Sequence, residues 1–280
     1  MTGTVAPSVS LRPLPGLARA PVFEVHDPAI DLVSRRMVAD KIWEPFESTL
    51  WMACLRDDDV VVDVGANLGY FSVLAACAET RVRAVHAFEP AASNVRLLRK
   101  NIALNDAVVV EAHPCALGDS TQSMELHLSG DNLGDHQLYG EEGVRKRESV
   151  LMVRGDEYLA DKVSRIDLLK VDTQGTECSV IRGLLPLLAD SGERLRILLE
   201  LTPYSLRRAG DSGRALIEAL DTLGLPMAIV DHVENRVVPS TADALATWCD
   251  NVDGVAGDEG FMNIFLGEIP ASIEQDGSAS

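Results

Sequence analysis

Apolar residues along this chain fall into short unbroken runs that alternate with stretches where they recur every three to four positions. Val60-Val61-Val62-Asp63-Val64 is such a run. It passes through Gly65 and Gly69 into Tyr70-Phe71 and an apolar segment of helical spacing. Short runs bounded by turn residues predict buried strands, and the 3.6-residue recurrence predicts helices. By the same pattern we expect strands at 59–64, 83–89, 107–112, 166–171, 195–201, 226–230 and 261–266. Helices are expected at 68–78, 91–104, 176–189 and 211–223. Between 113 and 164 the alternation lapses, and two strand-like runs, 123–128 and 149–153, flank a polar loop. Residues 231–260 are acidic and poorly periodic, so an insertion or flexible loop is expected there.

Strand and helix in turn predict an α/β domain: a Rossmann-like, seven-stranded, mostly parallel sheet with one antiparallel strand and helices on both faces. Ahead of it, residues 27–55 have helical character. Asp27 precedes Pro28 as a cap would, Trp43, Phe46, Leu50 and Trp51 follow at near-helical spacing, and Pro45 marks a break. Residues 21–58 therefore read as a helical cover, beside a ligand crevice or packed into the core. Residues 1–20, with Pro7, Pro13, Pro15 and Gly16, and residues 271–280 read as disordered tails, leaving 59–270 as the main domain.

Composition narrows the partners. An apolar fraction of 46% over 280 residues is ample for one core. With 43 acidic and 25 basic residues the net charge is −18, which weighs against binding a phosphate backbone. The one basic cluster, Arg145-Lys146-Arg147, sits among Glu141, Glu142 and Glu148. Cys54, Cys77, Cys115, Cys178 and Cys249 are odd in number and dispersed, with no zinc spacing, so small buried hydrophobes in a reducing, cytoplasmic compartment are expected. No run approaches the roughly 18 apolar residues of a membrane span. The expected partner is a small molecule rather than nucleic acid or membrane, with a homodimer left open.

Two features define the ligand class. The turn after the valine run reads D-x-G-x-N-x-G, and the helix behind it aims free N–H groups past the strand end. The second strand, Arg83 to Pro90, ends in Glu89, where nucleotide-binding βαβ units place the acid that takes ribose hydroxyls. A carboxylate there disfavours a 2′-phosphate, and the glycine pattern is not G-x-G-x-x-G. S-adenosylmethionine fits better than a dinucleotide. The alternatives are glycines used for packing alone and a merely solvated Glu89.

Four segments, in order, resemble the FkbM-type S-adenosylmethionine-dependent methyltransferases. They are Asp63 to Phe71, Phe88-Glu89-Pro90 with Asn94, Ala116-Leu117-Gly118, and Ile166 to Glu177 with its Lys170-Val171-Asp172-x-x-Gly175-x-Glu177 core. The similarity in character runs from position 40 to 267. One departure is Gln174, where the family usually has an acid. The resemblance implies the seven-strand methyltransferase sheet and methyl transfer to a hydroxyl of a small metabolite, sugar-bearing or polyketide-like, in secondary-metabolite biosynthesis. The alternatives are an N-methyltransferase and a nucleotide-binding module without catalysis. It also implies that Asp63, Gly65, Ala66, Asn67 and Gly69 line the methionine end of the cofactor. Glu89 would hold the ribose, and Pro90, Asn94, Ala116 and Leu117 would flank the adenine.

Methyl transfer from a sulfonium needs an aligned acceptor and a base for its proton. The polar loop 129–139 offers His136 as that base, with Asp135 or Asp131 to orient the ring and Asn132 to touch the acceptor; a solvated turn is the alternative. Asp172 ends the fourth strand, Lys170 shares its face of the strand, and Glu200 lies near the end of the fifth. Asp172 is the second catalytic candidate, and Asp135 and Glu200 join Asn132 as acceptor contacts. Hard oxygen ligands at 172 and 200 could take Mg²⁺, but no ligand pattern compels it and no metal is assigned.

Overall fold

In the computed structural model, which describes residues 7–130, 132–140 and 144–276, the N-terminal segment is built into the fold. Strand β1 (Ser8–Ser10) pairs antiparallel with β2 (Val22–Glu24). Phe23 is fully buried, and Asn101 and Asn105 hydrogen-bond the β2 backbone as a neighbouring strand would. The disordered tail expected over 1–20 is thus corrected for residues 7–20; residues 1–6 lie outside the described residues. The expected helical cover follows as α1 (Leu32–Asp40), capped by Asp31, and α2 (Pro45–Cys54), which starts at the proline read as a break.

From there strand and helix alternate: β3 (Val60–Val64), α3 (Tyr70–Ala76), β4 (Ala84–Phe88), α4 (Ala92–Leu104) and β5 (Val110–His113). Three strands then leave the pattern, β6 (Ala116–Gly118), β7 (Gln122–Leu128) and β8 (Lys146–Arg154), followed by α5 (Gly155–Leu159). Alternation resumes with β9 (Leu168–Val171), α6 (Glu177–Ser191), β10 (Arg196–Leu201), α7 (Pro203–Arg208), α8 (Gly213–Asp221) and β11 (Met227–Asp231). The chain closes with β12 (Arg236–Ser240), α9 (Ala242–Gly254), β13 (Met262–Leu266) and α10 (Ala271–Asp276). Residues 271–276 are therefore helical rather than disordered, and 277–280 lie outside the described residues.

The main sheet has the order β12-β11-β13-β10-β9-β3-β4-β5. All seven expected strands are in it, and β13 runs antiparallel between β10 and β11. The eighth, β12, comes from the segment read as a loop. It carries Pro239 and sits at the sheet edge, where a missing N–H costs no ladder bond. In the same segment α9 is capped by Thr241 and buries Leu245, Ala246, Cys249 and Val252, so 231–260 is ordered structure.

Successive strand residues face opposite layers, which sets the two cores. Val61, Val85 and Leu198 pack with Leu50, Trp51, Leu74 and Leu98 from α2, α3 and α4. Val62, Leu169 and Leu199 pack with Ile181, Leu184, Leu216 and Leu245 from α6, α8 and α9. Each such side chain contributes about 1.5–3 kcal/mol on burial. All five cysteines are free and buried, as their apolar surroundings predict. At the N-terminal end of the sheet the buried Arg196 binds Asp59 at 2.9 Å and the Asp167 and Cys54 carbonyls. The strand order reverses between β3, whose chain continues to β4, and β9. Open α/β sheets bind ligands at the C-terminal side of such a switch point.

Candidate active site

At that switch point the β3 turn is wound tightly. Gly65 and Ala66 both donate to the Phe88 carbonyl, at 3.0 and 2.9 Å, and Gly65, Asn67 and Gly69 have φ of 83°, 51° and 89°. The reason for glycine differs from the ligand approach expected. A Cβ on Gly65 would lie 1.8 Å from the Asp172 carbonyl oxygen, and one on Gly69 would lie 2.6 Å from Leu98 Cδ1. The turn is a glycine turn because β9 and α4 press against it.

Glu89 follows β4 and is 5% exposed. Its Oε2 accepts from Asn67 N–H at 2.9 Å and its Oε1 from Ala91 N–H at 2.8 Å. The Asn94 side chain hydrogen-bonds the same carboxylate. Burial pushes the carboxyl up to about 7 against the pull of those bonds. Glu89 and Pro90 line a first cavity with Asn94, Ala116 and Leu117, beneath Phe88. Asn94 is buried and already engaged: its amide donates to the Leu133 carbonyl at 3.0 Å and its oxygen meets His26 Nε2 at 2.9 Å.

The roof of this cavity is the loop between β7 and β8. Leu133 N–H donates to Asp31 Oδ1 at 2.9 Å, so one aspartate both caps α1 and pins the loop. His136 reaches the first cavity, but as a donor. Its Nδ1 accepts from Ser129 N–H at 3.0 Å, which leaves the neutral ring's proton on the buried, unpartnered Nε2. Burial also lowers its pKa to about 4. A ring held so is not the expected base. Asp135 does not orient it, because that carboxylate is taken by Arg145 and Gln137, both at 2.7 Å, and lines neither cavity. Asp131 lies outside the described residues.

A second cavity of about 350 Å³ adjoins the first and shares Gly65, Asn67, Gly134, Asp172 and Gln174 with it. Asp63, Ala66, Asn132 and Glu200, all expected in the site, line it. Asp63 is 1% exposed; its Oδ2 accepts from Ser72 at 2.6 Å while its Oδ1 has no partner, and Asn67 Oδ1 is likewise buried and unpartnered. Asp172 sits between Lys170 Nζ, 2.9 Å from Oδ2, and Gln174 Nε2, 2.9 Å from Oδ1. The same amide nitrogen donates to Glu200 Oε2 at 2.8 Å. Desolvation alone would raise Asp172, but Lys170 and these bonds hold it below the usual carboxylate range. Glu200 is driven well above that range by burial and by Asp172, Glu177 and Glu44.

Lys170 and Gln174 thus hydrogen-bond the Asp172 and Glu200 oxygens considered above for Mg²⁺. Among the described residues, the His, Cys, Asp and Glu side chains that bring one ligand atom each within 4.8 Å are His86, Glu111 and His113, on β4 and β5. The residue that sequence reasoning missed is Glu44. It precedes Pro45 at φ 42°, ψ 75° and lines the second cavity with Trp43. The only local signal was an acid before the proline already read as a helix break.

The chain matches the family described as the methyltransferase FkbM domain over residues 63–221. It is 27% identical over 175 residues to "Methyltransferase 1" of Beauveria bassiana, a match covering 55% of this chain and 67% of that protein. It is 29% identical over 164 residues to "Methyltransferase sdnD" of Sordaria araneosa, covering 48% and 63%. The chain therefore matches about two thirds of the length of these relatives. The crystal structure of methyltransferase FkbM from Methylobacillus flagellatus aligns at a TM-score of 0.46 and 14% identity, over 76% of this chain and 44% of that one.

Proposed function

The chain belongs to the FkbM methyltransferase family, and we propose that it carries a methyl group from S-adenosylmethionine to a hydroxyl of a small metabolite. The observation that supports this most is the pair of joined cavities, one walled by Glu89 and the other by Asp172, meeting at the Gly65–Asn67 turn. A nucleoside and an acceptor would lie end to end there once the first cavity, of about 50 Å³, widens under its roof loop to admit the base. The second cavity is of small-molecule size. The charge of −18 disfavours a nucleic-acid acceptor, and no helix among the described residues is long and apolar enough to cross a membrane.

When bound, the cofactor supplies an electrophilic methyl on a sulfonium whose departure as a thioether needs no acid. The chain's residues suit it. Glu89 would accept from the ribose diol, and Pro90, Asn94, Ala116 and Leu117 would flank the base. Asp63, Gly65, Ala66 and Asn67 would hold the methionyl end, where the unpartnered oxygens of Asp63 and Asn67 await donors; Gly69 lines neither cavity and serves the turn by packing against Leu98. His136 Nε2–H is a donor in search of an acceptor on the same wall.

Asp172 is proposed to accept the hydrogen bond of the acceptor hydroxyl. An alkylated hydroxyl oxygen is a strong acid, so the base need not be tuned near neutrality. It need only be ionised and within reach, and Lys170 keeps Asp172 ionised. Glu200 and Asn132 would contact the acceptor. Calorimetry with S-adenosylmethionine, followed by mass spectrometry of hydroxylated candidate acceptors for a gain of one methyl and release of S-adenosylhomocysteine, tests the proposal. A protein that binds no cofactor sinks it, and methylation at nitrogen would transfer it to the N-methyltransferase alternative.

A further inference from the structure

The second cavity is rich in acids. Glu44, Asp63, Asp172 and Glu200 line it against one cation, Lys170, whose ammonium is spent on Asp172 at 2.9 Å and lies over the Phe71 ring. Gln174 gives Glu200 a neutral donor only. Among the described residues the Glu44 carboxylate makes no hydrogen bond, and Asp63, 1% exposed, keeps Oδ1 without a partner. Glu44 holds its place through a left-handed backbone, φ 42°, that costs a non-glycine residue conformational energy. The wall also carries aromatic rings, Trp43 and Phe261 among them. Acids short of a cation beside aromatic faces are what an organic ammonium ion needs.

We propose that this cavity takes an acceptor bearing a protonated amine, with Glu44 as the carboxylate that receives the ammonium and the Trp43 and Phe261 rings beside it. The inference rests on the methyl-transfer reading and adds the acceptor's class to it. A nitrogen held as ammonium has no lone pair to attack a methyl group. The amine is therefore a handle, and a hydroxyl elsewhere on the acceptor reacts at Asp172. Burial, with Asp172 and Glu47 nearby and Lys170 opposing, pushes Glu44 up to about 8, so the free site is largely protonated at neutral pH and Glu44 gives up that proton as it receives the ammonium. A divalent metal is the poorer occupant, because these acids do not bring one oxygen each within 4.8 Å of one another.

The test compares phenethylamine with its neutral counterpart 2-phenylethanol, titrated by ligand-observed NMR at pH 8.5 into the full chain, with and without saturating S-adenosylhomocysteine. Prior saturation places the cofactor's own ammonium before the probe arrives. The amine should bind at least tenfold more tightly than the alcohol, and Glu44→Gln should bring the two within threefold while S-adenosylhomocysteine affinity stays within twofold. Equal binding of the two probes by the wild type overturns the inference, as does a preference that survives Glu44→Gln. Glu44→Asn, whose side chain tolerates the left-handed backbone, repeats the test should the first variant unfold. Normal S-adenosylhomocysteine binding without amine preference rejects this inference alone. Amine preference without S-adenosylhomocysteine binding rejects the methyl-transfer reading instead.

Discussion

Replacing Gln174 by Glu changes one atom from donor to acceptor at the point where Asp172 and Glu200 meet. The amide nitrogen lies 2.9 Å from Asp172 Oδ1 and 2.8 Å from Glu200 Oε2, so the isosteric carboxylate would put an oxygen against two others. Two hydrogen bonds to carboxyl groups are lost, and each bond to a charged partner is worth about 1.5–3 kcal/mol. Glu200, driven well above the usual carboxylate range by burial, can take up a proton and turn its O–H toward the new group, recovering one bond. The contact with ionised Asp172 stays repulsive. Residues 172 and 174 are only half-buried, so part of that repulsion is screened. The net cost is about 2–4 kcal/mol at pH 8, or roughly 4–10 °C in Tm for a chain of this size.

The pH dependence gives the sharper test. The introduced acid has a folded pKa raised above its unfolded value near 4.3, so the folded state binds the extra proton. Its penalty is complete above the raised pKa and fades as pH falls toward the unfolded one, by about 1.4 kcal/mol per pH unit. Thermal unfolding of both proteins at pH 8 and pH 5.5 should therefore show a Tm gap that shrinks on acidification. Gln174→Met, which loses the bonds without adding charge, should show a gap independent of pH. A Gln174→Glu protein that melts within 1 °C of wild type at pH 8, or whose deficit is the same at both pH values, would refute the bridging role.

Glu89→Ala should weaken S-adenosylmethionine binding by roughly 1.5–3 kcal/mol. In the wild type, affinity should fall roughly tenfold from pH 7.5 to 6 as Glu89, held at about 7, takes up its proton; calorimetry showing neither effect would remove it from the ribose site. Gly65→Ala should cost at least about 3 kcal/mol of stability, since its Cβ meets the Asp172 carbonyl at 1.8 Å and φ is 83°. A Tm within 2 °C of wild type would contradict that packing. His136→Asn should lower kcat less than about tenfold and leave the acid limb of the pH–rate profile in place, because a neutral ring whose Nδ1 is occupied by Ser129 N–H and whose Nε2 carries the proton has no lone pair to offer the acceptor. A hundredfold loss together with a shifted limb would restore the histidine mechanism.

Much of the cofactor side was legible because it is local. The valine run, the glycine turn and Glu89 lie within one βαβ unit, where strand period and turn chemistry fix which residues reach the sheet's C-terminal edge. Asp172 was placed by the same logic at the end of the fourth expected strand, and it directly follows β9. The acceptor side was read less well, because its residues are related only through folding. Nothing in the polar loop announces that Ser129 N–H will sit on His136 Nδ1, or that Arg145 will claim Asp135. β12 and α9 were hidden by Pro239 and by acids on the outer face of the helix, which blurred a period that Leu245, Ala246, Cys249 and Val252 do keep.

The sequence by itself determined the alternation of elements, the two apolar faces of the sheet and the acids at its strand tips. Each depends on the identity of a residue and of its neighbours a few positions away. Only the tertiary structure decided that Glu44 and Glu200, 156 positions apart, would repel each other across one cavity, and that a single amide, Gln174, would join Asp172 to Glu200. Such pairings leave no trace in local periodicity. They arise where helix starts and strand ends from distant parts of the chain are brought to the same edge of the sheet, and there charge and hydrogen-bond geometry, rather than pattern, decide which groups face one another.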